Sequence, residues 1–109
     1  MDDLYSEIQK KNADLEYSIK QLRKNGNAKA EKDRDYHILL RTEVLKLKEK
    51  GMAVTLIDMV VKGIPEVAQA RFERDAAEVC YDANLEAIQA LKLQLRLLDA
   101  QLQREWGQT

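Results

Sequence analysis

Very little in this chain has the residue types or spacing for chemistry. His37 and Cys80 are the single histidine and the single cysteine of its 109 residues. A zinc site needs several nitrogen or sulfur ligands at short helical or turn spacing, and Cys80 has no Cys or His three or four residues away. Catalysis by a Ser or Cys nucleophile with His37 would require convergence over a long range around a cleft, which an elongated helical design does not supply. There is no glycine-rich phosphate loop. The acidic residues of Arg71-Phe72-Glu73-Arg74-Asp75-Ala76-Ala77-Glu78 interleave with arginines at i, i+4 spacing, the pattern of a solvated, ion-paired helix face. The expectation is a protein that is not an enzyme and uses no metal or cofactor.

Two features bear on nucleic acid. Lys20, Arg23, Lys24, Lys29, Lys32 and Arg34 form a basic run against only Glu31 and Asp33. Such a run could neutralise phosphates, with binding that falls steeply as salt rises. No aromatic residue lies among these cations to stack on bases, so a solvated charged face is the competing explanation. The second feature is the stretch Lys48 to Phe72, whose order of helix, Gly51, short helix and Gly63-Ile64-Pro65 faintly resembles a helix-turn-helix. Asp58 stands where a small residue follows the buried Ile in that motif. The helix that would read DNA is also the most apolar part of the chain, whereas major-groove reading requires exposure. A capped corner built on Val54, Leu56, Ile57, Val60 and Val61 explains the same residues.

The elements that must position these groups are helices. Breakers divide the chain into three. The first helix is expected over 4–50, where Lys46, Lys48 and Lys50 precede Gly51, cations and a glycine being the usual helix stop. A short corner helix is expected over 55–62, capped by Thr55 with Asp58 three residues on and ended by Gly63. The last helix is expected over 65–106, since Pro65 suits a first turn and Gly107 a stop. The outer helices would each span roughly 60–70 Å by their rise per residue and fold back as a long antiparallel hairpin, a single all-α domain over 1–109. In the first helix, Tyr5, Ile8, Leu15, Ile19 and Leu22 share one phase, as do Tyr36, Leu40 and Leu47. Gly26, Lys29 and Asp33 interrupt it, and Asn25-Gly26-Asn27 predicts a kink or break near 25–27. Asn12 and Asn84 fall on seam positions, where a buried amide can fix register.

The last helix carries two apolar stripes. One is Val67, Ala70, Ala77, Tyr81, Ile88, Leu91, Leu95, Leu98 and Leu102. The other, nearly opposite, is Phe72, Ala76, Val79, Ala83, Ala90, Leu93, Leu97 and Ala100. A helix apolar on two sides has to be buried between two neighbours. The first arm of the hairpin can cover one stripe. The expected cover for the other is a second polypeptide, with Phe72, Val79, Ala83, Ala90, Leu93 and Leu97 as the oligomer interface. Pairing two hairpins in this way makes a four-helix bundle, and a twofold dimer is the simplest closed form. A hetero-complex would cover the same strip.

Composition agrees with long helices and coiled coils, with 34% charged residues and 6% aromatics. The net charge of −1 names no partner by itself. Lone Cys80 suits a reducing compartment, packed as a small apolar group. The acidic start Met1-Asp2-Asp3 lacks the features of a secretory leader, and no apolar run approaches membrane-spanning length. The expected setting is the cytoplasm, without a membrane partner.

Several strings resemble small helical phage and prophage proteins of Gram-positive bacteria. They are Leu45-Lys46-Leu47 through Gly51-Met52-Ala53-Val54-Thr55-Leu56-Ile57, then Arg71-Phe72-Glu73-Arg74-Asp75, Leu93-Gln94-Leu95-Arg96-Leu97-Leu98 and Arg104-Glu105-Trp106-Gly107. The resemblance covers roughly the last two-thirds of the chain, and its matched residues are packing and capping residues, so it carries over no site. It implies a helical protein of unassigned activity, encoded among early genes near replication and recombination functions. The expected function is accordingly a phage-type adaptor or modulator acting on a protein of DNA metabolism or host defence. The alternative is a nucleic-acid-binding accessory using the Lys20–Arg34 region.

Overall fold

The computed structural model describes residues 2–107. Three helices account for nearly all of them: α1 (Asp2–Glu49), α2 (Val54–Lys62) and α3 (Pro65–Gly107). No strand occurs among the described residues. The chain is an all-α helical hairpin with α1 and α3 as arms and α2 at the corner. Its contacts fall into two compact units, one made of residues up to Asn25 with those from Tyr81 onward, the other of Gly26–Cys80.

The corner is set by backbone chemistry. Gly51 sits at φ +82°, the left-handed conformation that stops α1. Its N–H donates to the carbonyl of Lys48 at 3.0 Å, and the N–H of Met52 donates to that of Leu47 at 3.1 Å. This pair of bonds is the Schellman closure, which satisfies carbonyls the helix end leaves open. An added Cβ at Gly51 would meet nothing within 4 Å, so a substitution there pays only for the backbone conformation. Gly51→Ala is expected to cost about 1 kcal/mol and to lower the melting temperature by about 5 °C, read by circular dichroism; an unchanged melting curve would contradict this stop.

The start of α2 differs from the expected Thr55 cap. Helix α2 begins at Val54, with Ala53 as N-cap and no side-chain hydrogen bond to it. The carbonyl of Ala53 instead accepts from the N–H groups of Leu56 and Ile57 at 2.9 and 3.2 Å. Thr55 is therefore inside the first turn, exposed. At the other end, the carbonyl of Ile64 accepts the N–H of Ala68 at 2.9 Å and opens α3 at Pro65.

In the Gly26–Cys80 unit the core gathers Tyr36, Val61 and Val67, the two valines being only 1% exposed. Leu39, Leu40, Val44, Leu47, Ile64 and Ala70 pack around them. Here α2 tucks Ile57 and Val61 inward, four residues apart on one face. The Arg74 guanidinium lies 4.4 Å from the centre of the Tyr36 ring, within range of a cation–π contact. Lys32 reaches Glu73 across the same pair of arms at 3.6 Å.

In the other unit, Leu4 and Ile88 are buried. Ile8, Leu15 and Leu22 of α1 are half-buried, as are Tyr81, Leu91, Leu95, Leu98 and Leu102 of α3. The inward phase of α1 runs through Leu4 and Ser18. Tyr5 and Ile19, assigned to the seam from their spacing, are exposed. The reason lies at Asn84, whose Nδ2 donates to the Ser18 carbonyl at 3.0 Å, while Asn25 Nδ2 donates to Asn84 Oδ1 at 2.8 Å. Both amides are half-buried, so an unmade bond would leave a desolvated polar group, and the bonds hold the two arms in one register. Asn12, the other amide expected on the seam, is exposed.

The same bond bears on Asn25-Gly26-Asn27. No break occurs there: α1 runs as one α-helix from Asp2 to Glu49, straight through this tripeptide. A helical glycine costs roughly 1 kcal/mol relative to alanine. The long-range Asn25–Asn84 bond is one tertiary contact that offsets it.

Candidate interaction interface

The two stripes of α3 have opposite fates. Every residue of the first, from Val67 to Leu102, is buried or half-buried. Every residue of the second is exposed. In the Gly26–Cys80 unit these are Phe72, Ala76 and Val79; in the other unit they are Ala83, Ala90, Leu93, Leu97 and Ala100. Phe72 and Val79 are each 66% exposed, Leu93 50% and Leu97 61%. Scattered exposed apolar residues are ordinary on a protein surface, but a file of them at heptad spacing along one helix is the form of a helix-packing seam. Ala90 and Leu93 form part of a shallow depression with Glu86, Gln89, Lys92 and Arg96 around them.

A second apolar surface belongs to α2. With Ile57 and Val61 inward, Val54, Leu56, Met59 and Val60 are left outside, Met59 at 76% exposure. Sequence reasoning placed Val54, Leu56 and Val60 in a capped corner with Ile57 and Val61. The structure keeps only the last two inside, because a nine-residue helix presents one narrow face to the arms. Apolar residues on nearly all sides of α2 were the available signal. Cys80 is likewise exposed rather than packed.

The basic run is divided. Lys20, Arg23, Lys24 and Arg34 are exposed, whereas Lys29 and Lys32 are half-buried. Lys32 is paired with Glu73, and Arg34 with Asp35 at 3.0 Å and Glu31 at 4.0 Å. Only Lys20, Arg23 and Lys24 share one exposed side within one unit. His37 and Arg74 each lie beside a carboxylate of the same chain. His37 lies on the surface 3.4 Å from Asp33. Arg74 bonds Asp75 at 2.9 Å, and that hydrogen bond holds its guanidinium above the ordinary arginine pKa, so it stays charged beside Tyr36. Among the described residues no three His, Cys, Asp or Glu side chains converge as a metal site. No helix of the described residues is long and apolar enough to cross a membrane.

Compared with protein-family models, with curated proteins and with solved structures, the chain matches none.

Proposed function

We propose that this chain is a non-enzymatic helical adaptor or modulator that works by protein–protein contact. In this reading it acts as a self-associated helical bundle, most simply a dimer, with a protein of DNA metabolism or host defence as its target. The setting is the cytoplasm of a bacterial host, in keeping with the resemblance to phage proteins. The observation that carries the reading is the exposed file on α3. Burying a Leu or Phe side chain stabilises by roughly 1.5–3 kcal/mol, so Phe72, Val79, Leu93 and Leu97 left in water forgo a large contribution. The α2 surface of Val54, Leu56, Met59 and Val60 then supplies a contact for the target, with Met59 the adaptable element. Nucleic-acid binding by the Lys20–Arg34 region has less support, since Lys32 and Arg34 already hold carboxylates of the same chain.

Two measurements test this. Sedimentation velocity on the unmodified protein at micromolar concentration is expected to give a dimer, and a compact, soluble monomer would overturn the reading. In a pull-down from host lysate, a target held by the parent chain is expected to be lost with Leu56→Lys/Met59→Lys. Equal retention by the parent and that variant would remove α2 as the contact.

A further inference from the structure

We propose that two copies of the chain pair antiparallel through α3, about a twofold axis level with Ile88 and Gln89, so that Asp82 of each copy meets Arg96 of the other. The inference rests on the assembly reading above and gives it a partner, a direction and a register.

The exposed face of α3 in the unit that holds it is self-complementary. Positions 83, 86, 90, 93 and 97 alternate steps of three and four, the spacing of a coiled-coil seam. With the axis at this level, the contacts of Ala83 and Ala90 each set a small residue against a larger one. Ala83 faces Leu93 of the second copy, and Ala90 faces the aliphatic stem of Glu86. The shallow depression around Ala90 is where that stem would lodge. A small residue opposite a large one lets the two backbones approach without a void.

The flank of the stripe supplies the direction. Asp82, Gln89 and Arg96 lie seven residues apart along one edge, all exposed. A twofold antiparallel arrangement brings Asp82 to Arg96 twice and Gln89 to its own copy. Neither Asp82 nor Arg96 has an ion pair or hydrogen bond with a described residue of its own chain, so both charges are available. A parallel, in-register pair would instead set Asp82 level with Asp82 and Arg96 level with Arg96. Sliding one helix by a heptad offers Arg96 either Gln89 or Asp75. Gln89 carries no charge, and Asp75 already accepts from Arg74 at 2.9 Å.

Charge exchange tests this register. Asp82→Arg and Arg96→Asp, each alone, are expected to weaken self-association about ten-fold or more in sedimentation equilibrium, since each change makes two like-charge contacts per dimer. The double variant Asp82→Arg/Arg96→Asp is expected to return within about three-fold of the parent. Circular dichroism should show the same helicity for all of them, as both side chains are exposed. A parent dimer that is insensitive to both single changes would overturn this register while leaving the assembly reading intact. Rescue of Asp75→Arg by Arg96→Asp, without rescue of Asp82→Arg, would do the same. A monomeric parent would overturn both.

Discussion

Leu93→Glu/Leu97→Glu is expected to abolish the proposed self-association, leaving a helical monomer in place of the dimer proposed for the parent protein. Each leucine buried at an interface contributes roughly 1.5–3 kcal/mol, and a twofold dimer loses each of them twice. Placing unpaired carboxylates at the same positions adds a desolvation cost. Together these effects correspond to a weakening of well over about a thousand-fold. Both leucines are more than half or about half exposed on their own chain, so the helicity of the monomer should survive. Sedimentation equilibrium with circular dichroism on the same samples checks both parts. A double variant that remains dimeric would place the association surface elsewhere on the chain.

The second large effect concerns the core of the Gly26–Cys80 unit. Tyr36→Ala is expected to destabilise the fold by about 3–5 kcal/mol, a large share of the roughly 5–15 kcal/mol typical of a folded protein. Tyr36 is the aromatic centre against which Val61 and Val67 are buried, and Arg74 rests on its ring. Removing the ring opens a cavity between α1, α2 and α3 and strips Arg74 of its cation–π partner. Tyr36→Phe keeps the ring and should cost far less, which separates packing from the hydroxyl. Urea denaturation of the three proteins measures the difference. A Tyr36→Ala protein within about 1 kcal/mol of the parent would contradict the role given to this cluster.

Some of the architecture is legible in residue order alone. The boundary at Gly51 follows from a lysine-rich last turn and the one residue type that accepts φ +82° without strain. The start of α3 at Pro65 follows from the missing N–H and fixed φ of proline. The two stripes of α3 are equally readable, because heptad spacing over a 43-residue helix leaves little room for another phase. Which stripe faces α1 is also consistent with content, since Ile88, Leu91, Leu95 and Leu98 make the more apolar of the two.

The inward side of α1 was not readable in this way. Leu4 competes with Tyr5, and Ser18 with Ile19, one residue apart, and the apolar count alone favours Tyr5 and Ile19. The half-buried amide of Asn84 reverses that choice by bonding the Ser18 carbonyl and Asn25, contacts 66 and 59 residues distant. The helix through Asn25-Gly26-Asn27 depends on the same kind of contact. Local propensity argues for a break, and a partner brought close by folding outweighs it. The α2 cap shows a smaller version, with Ala53 taking by backbone geometry the place that Thr55 suggested by side chain.

Sequence alone therefore determined that this protein is helical, where its chain turns and that α3 is apolar on two sides, because those properties depend on residues within a few turns of one another. Tertiary structure decided the rotation of α1, its continuity past Gly26 and the outward placement of Val54, Leu56 and Met59. These depend on energies of contacts between residues far apart in the chain, and no local pattern encodes them.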